Sequence, residues 1–290
     1  MKNNEYPANP YAPPVQGVFH NQSPSDKTVP GKYTVYIPGT FEPCSPAVVI
    51  LTPNGVSAEN FYGSTRGANW VTVADAYGVA LVIAEPYEAG NWNLSNSPTE
   101  RFDEIFLYEV WNTINKKNAR ITAAFDLDER SLYWVGYEEG GSAVHKMALL
   151  WPQVCAGLIS INGEDVSSYL IDLFGTQISF PFEQSQNTDG KQKVGLPNNK
   201  IPVPVWMIST ESAPGNDTLK AHWISADNAV NSGTNEYADE CYENEAARVW
   251  ITKGRDITEE TIYSKFLYPV QRFDFIPGGE LRWRIPLVNN

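Results

Sequence analysis

Histidine is scarce in this chain. There are three in 290 residues, His20, His145 and His222, and none follows position 222. That excludes an imidazole base supplied from beyond position 222. Cysteine is as rare: Cys44, Cys155 and Cys241 are far apart and odd in number. This excludes a disulfide framework and a thiolate zinc site, and implies free thiols in a reducing, cytoplasmic setting. Basic residues are outnumbered, 21 Lys and Arg against 34 Asp and Glu, for a net charge of −13. A surface of that sign repels phosphate, so neither nucleic acid nor an anionic membrane is expected as a partner. No run approaches the ~18 apolar residues of a membrane span. The opening M-K-N-N-E-Y-P has no apolar stretch of the kind found in secretory signals. No His or Cys cluster has ligand spacing, so no metal and no other cofactor is expected.

What is present is enough apolar material for one large α/β domain. The chain is 42% hydrophobic and 12% aromatic, with nine Trp. Residues 1–30 are rich in Pro, Asn and Ser and read as an extended arm. Lys32 to Pro38, K-Y-T-V-Y-I-P, alternates like a strand. Ala47 to Leu51 is a continuous apolar run, as in a strand buried on both faces; Val79 to Ala84 and Ala156 to Ile161 read as further buried strands, and Val203 to Ser209 as the next strand. Helical spacing is seen over 69–77, 102–115 and 219–230, and over 258–270 behind a capping pattern, Thr258-Glu259-Glu260-Thr261. Residues 231–245 read as an acidic loop, and 163–200 as a lid-like insertion without period. The alternation of β and α predicts a mostly parallel sheet with helices on both faces, its sites at the carboxyl ends of the strands. The organisation expected is an arm over 1–30, an α/β domain over 31–255, and a C-terminal helix and tail over 256–290 serving as linker or assembly segment.

The chain is organised around 132–150. A β-rich run, Leu132 to Val135, enters Gly136-Tyr137-Glu138-Glu139-Gly140, followed by Gly141 and a helical pattern. A turn this tight needs glycine where a Cβ would strike the neighbouring strand or helix. The frame is that of the nucleophile elbow G-x-S-x-G, with Glu138 in the serine's place. The Glu138–Glu139 pair is not a glycosidase pair, because adjacent residues at a sharp turn diverge.

From Lys32 to about Gly163 the sequence resembles the polyhydroxybutyrate depolymerase / feruloyl esterase branch of the α/β hydrolases. The residues that carry this are Y-x-V-Y-I-P, A-V-V-I-L-T-P-N-G, N-W-x-x-V-A-D-A-Y-G-V-A-L-V-I-A-E-P and F-D-L-D-E-R-S-L-Y-W-V-G-Y-E-E-G-G. The resemblance implies the α/β-hydrolase fold, with a Ser–His–Asp triad and two backbone amides as oxyanion hole. Carried over by position, the serine is Glu138. The histidine falls on Leu281, in Gly278-Gly279-Glu280-Leu281. The acid is Glu211 or Asp217, after the strand at 203–209. The oxyanion amides are Val56, behind Asn54-Gly55, and Glu139. His145 and His222 read as structural residues.

An elbow that keeps its frame without serine or base implies a catalytically degenerate hydrolase, a binding or self-assembly module. Its expected partner is a protein, either a second copy or a related module; the small-molecule ligand stays open. The Glu138 carboxylate is expected to turn back onto Val56 N–H or Glu139 N–H. The competing reading makes Glu138 the nucleophile, as Asp is in haloalkane-dehalogenase-like and epoxide-hydrolase-like enzymes. Glu is one methylene longer, a misplacement of about 1 Å costs ~100-fold, and the ester formed would lack a base to release it. The arm and the strand-like stretch 281–288 are expected to be available for a neighbour's sheet edge.

Overall fold

The computed structural model describes residues 16–23, 31–42, 45–87, 90–92, 103, 106–107, 110, 127–150, 155–164, 203–212, 217–244, 247–269, 274–276 and 280–282. The continuously apolar runs form the middle of a ten-stranded sheet, ordered β1-β2-β4-β3-β5-β6-β7-β10-β9-β8. Its strands are β1 (Gly17–Gln22), β2 (Tyr33–Ile37), β3 (Ser45–Leu51), β4 (Ala80–Ala84) and β5 (Leu127–Tyr137). They continue with β6 (Gly157–Ile161), β7 (Val205–Ile208), β8 (Val230–Gly233), β9 (Glu240–Glu243) and β10 (Arg248–Thr252). From β4 through β3, β5, β6 and β7 to β10 every pairing is parallel; the flanking pairs are antiparallel.

Successive residues of a strand face opposite sides, so β3 feeds two cores. Val49 and Leu51 pack in one, and Val48 and Ile50 in the other. The first core is covered by α3 (Glu139–Leu150) and α4 (Asp217–Ala226), through Val144, Met147, Leu219 and Trp223. The second is covered by α1 (Ala58–Tyr62), α2 (Thr65–Tyr77) and α5 (Glu259–Thr261). Helix α5 runs on as a wider π-type turn over Ile262–Leu267, and Trp70, Val73, Tyr263 and Phe266 fill this side. Of the helix expected over 102–115, Asp103, Phe106, Leu107 and Val110 are described; they are helical and buried.

Three segments differ from the sequence reading. Part of the arm is a strand: β1 pairs antiparallel with β2 at the sheet's edge. The acidic stretch 231–245 holds the β8–β9 hairpin instead of a loop, and β10, unread in the sequence, joins it to β7. The boundary at 255 separates nothing. Thr258 caps α5 by accepting from Thr261 N–H, and Phe266 then lies 5.4 Å from Trp206 and 5.3 Å from Trp250, ring to ring. Residues 256–267 therefore belong to the domain. The expected lid falls almost wholly on residues outside those described, as does most of the remaining arm and tail.

Candidate functional site

The elbow is built as its glycines require. Strand β5 ends at Tyr137, α3 starts at Glu139, and Glu138 between them has φ +54°. A glutamate in the left-handed region is strained, and the surrounding bonds fix it there. Glu138 N–H donates to Ile161 O of β6 at 2.7 Å, and Ser142 N–H donates to Glu138 O at 3.2 Å. A Cβ on Gly140 would overlap the Leu51 carbonyl of β3, and one on Gly136 the Gly140 carbonyl. These contacts bring the helix N-terminus hard against the end of β3.

The Glu138 side chain is exposed, and among the described residues its carboxylate has no hydrogen-bond partner. It does not turn back onto Val56 or Glu139, contrary to expectation. The neighbouring carboxylate crosses instead: Glu139 Oε2 accepts from Asn54 N–H at 3.2 Å. Glu138, with positive φ, projects outward from the turn, whereas Glu139, in the first helical turn, faces the loop after β3.

That loop, Thr52-Pro53-Asn54-Gly55-Val56, spends its amides internally. Val56 N–H donates to Pro53 O at 3.2 Å, closing a turn whose Gly55 has φ +73°. Val56 N–H, the amide expected as first oxyanion donor, is thereby engaged within its own loop. Gly55 N–H donates to Gly90 O. The segment 90–92 straps the loop further: Trp92 N–H donates to Asn54 Oδ1 at 2.8 Å, and Trp92 Nε1–H to Thr52 O at 2.6 Å. Trp92 is the pin of this strap.

Of the two acid candidates, Glu211 lies just past the carboxyl end of β7, exposed. Asp217 opens α4 and pairs with Lys220 of the same helix at 3.0 Å. Leu281 sits on β12 (Glu280–Arg282), which pairs with β11 (Asp274–Ile276) in a hairpin separate from the main sheet. The turn that meets the β7 end follows β10: Gly254 N–H donates to Glu211 O at 3.0 Å and Arg255 N–H to Ser209 O at 3.4 Å. A base working with the β7 acid would come from 253–256, Lys-Gly-Arg-Asp, which holds no histidine. Those side chains are engaged elsewhere. Lys253 Nζ lies 2.6 Å from Glu240, Arg255 3.6 Å from Asp239, and Asp256 2.8 Å from Arg66. The Lys253 contact, with help from Tyr242 and Lys220, holds the Glu240 carboxyl down at about 2 against the effect of its partial burial.

The histidines are remote from this chemistry, as read from the sequence. His145 is buried on α3, and its Nδ1 accepts from Trp223 Nε1–H of α4 at 3.0 Å. Burial, reinforced by His222, pushes its pKa down to about 3, and burial lowers His222 as well. His20 meets Thr34 Oγ1 at 3.2 Å on the β1–β2 edge.

One polar network behind the elbow was not legible in the sequence. Tyr137, the residue before Glu138, is buried, accepts from Trp70 Nε1–H at 2.8 Å and donates to Glu259 Oε1 at 3.1 Å. Glu259 also accepts from Arg66 Nη1 and Asn69 Nδ2, both at 2.9 Å, while Arg66 lies 4.9 Å over the Tyr137 ring. Burial and the Glu259 charge together drive the Tyr137 hydroxyl far above the usual tyrosine range. Among the described residues no three His, Cys, Asp or Glu converge as metal ligands, and no helix is long and apolar enough to cross a membrane.

No family model and no curated protein matches this sequence. Solved structures do. The acetyl xylan esterase from Aspergillus awamori superposes with a TM-score of 0.56 at 11% identity, over 84% of this chain and 95% of that one. The glucuronoyl esterase from Solibacter usitatus does so at 0.51 and 14%, over 89% and 87%. The fold is the α/β-hydrolase fold, with its mostly parallel central sheet and helices on both faces.

Proposed function

We propose that this chain, which resembles the polyhydroxybutyrate depolymerase / feruloyl esterase branch, is an α/β-hydrolase fold without serine-esterase catalysis, serving as a binding or assembly module. The observation that carries this is the state of the loop after β3. Its amides on Asn54, Gly55 and Val56 are all bonded within the chain. An oxyanion needs donors that wait unpaired and preorganised. The exposed glutamate at the elbow and the lack of histidine in the turn after β10 support the same reading. For assembly, the sheet edges offer the material: Val18 and Val230 stand exposed on β1 and β8, its two outer strands. A second copy added there would show in light scattering as a dimer or larger species. The other reading keeps Glu138 as a nucleophile, favoured by its exposed, unpartnered carboxylate; intact-mass spectrometry after incubation with an epoxide or alkyl halide decides it by the presence or absence of an adduct on Glu138.

The esterase test is direct. Turnover of p-nitrophenyl acetate or butyrate is expected to match that of Glu138→Ala. Glu138→Ser is expected to stay at that level too, since loss of a triad serine or histidine costs roughly 10⁶ in kcat and the base is absent. Efficient hydrolysis by Glu138→Ser would reveal a base in the site and end the non-catalytic reading.

A further inference from the structure

The three amides of the 54–56 loop are not engaged alike. Those of Gly55 and Val56 meet backbone carbonyls, Gly90 O and Pro53 O, which cannot leave without unmaking the loop and its Trp92 strap. The amide of Asn54 alone is held by a side chain, the half-buried Glu139 carboxylate at 3.2 Å. A side chain can swing away at the cost of one charge-assisted hydrogen bond, while the loop itself stays pinned by Trp92.

We propose that Glu139 is an autoinhibitory plug: its carboxylate is an internal occupant of a carboxylate-accepting position at Asn54 N–H, beside the elbow, and the site takes a small monocarboxylate when that side chain moves aside. The proposal deepens the reading of the elbow as a binding site and rests on it. The contact already present supplies the chemistry of recognition, an amide donor meeting a carboxylate oxygen. The net charge of −13 works against external anions, so an internal carboxylate has the advantage until it is removed. Glu138 takes no part in the plug, because its own carboxylate is exposed and points elsewhere.

The test is acetate titration at constant ionic strength, reading the Asn54 amide resonance by ¹H–¹⁵N NMR in the full chain. Glu139→Ala and Glu139→Ser are expected to bind acetate about 10- to 100-fold more tightly than the unmodified protein, the worth of one hydrogen bond to a charged group. Folded Glu139 variants whose Asn54 resonance ignores acetate would overturn the plug. Ester turnover in the same samples would strike at the non-catalytic reading instead, so the two failures are distinct.

Discussion

Replacing Glu259 by alanine is expected to cost about 3–5 kcal/mol of stability, the range found when one partner of a buried, hydrogen-bonded charge network is removed. The Glu259 side chain is 3% exposed and satisfies three donors at once: Arg66, Asn69 and the Tyr137 hydroxyl. Alanine leaves all three without that acceptor. The loss is structural as well as local. Glu259 opens α5, Arg66 and Asn69 belong to α2, and Tyr137 ends β5, so one carboxylate ties two helices to the strand that carries the elbow. Glu259→Gln keeps the length but presents an amide to donors on one side, and about 1–2 kcal/mol is expected. Asp256→Ala removes only the half-exposed outer partner of Arg66 and is expected to cost under ~1 kcal/mol. Urea unfolding followed by tryptophan fluorescence orders the three. A Glu259→Ala midpoint equal to that of the unmodified chain would mean the network carries no stability.

The same network shows what a sequence hides. The elbow was legible because its glycines are dictated locally: the crowding at Gly136 and Gly140 involves residues a few positions away and the end of the next strand. β4, β6 and β7 were legible because strands covered on both faces are almost wholly apolar, Ser160 of β6 being the one polar residue among them. β9 was not, since only Cys241 of its four residues is buried and the charged remainder reads as loop. β1 was lost in the arm for a like reason, none of its side chains being fully buried. The pairs that decide the site lie far apart in sequence. Asn54 and Glu139 are separated by 85 residues, Tyr137 and Glu259 by 122, and no spacing rule reaches that far. Two adjacent glutamates at the elbow gave no hint of which would face the loop; the left-handed backbone at Glu138 settled it.

Acid should separate His145→Gln from the unmodified protein, with the sign of the difference reversing. His145 Nδ1 accepts from Trp223 Nε1–H, so the folded state requires a neutral ring with its proton on Nε2. A second proton would face a donor with a donor, inside a buried contact between α3 and α4 and beside His222. The folded pKa is accordingly about 3 against 6.5 in the free side chain. The unfolded chain therefore takes up the proton first. The stability tied to the neutral ring is fully present above about pH 6.5 and is lost as pH falls from there towards 3. By pH 4 the loss amounts to roughly 3 kcal/mol. Asp227, at the end of α4, works in the opposite direction. Burial raises its pKa well above the usual carboxylate range, with the Val203 N–H bond a smaller opposing influence, so the penalty it carries at neutral pH relaxes in acid. Comparing one variant with its parent cancels that contribution. Glutamine can offer Trp223 an acceptor oxygen but takes no proton. At pH 7 His145→Gln is expected to be less stable by about 1 kcal/mol, for an imperfectly replaced hydrogen bond. Near pH 4 it is expected to be the more stable of the two. Urea unfolding at pH 7, 5.5 and 4 measures both curves, and parallel curves across that range would show that His145 does not set the acid limit of this fold.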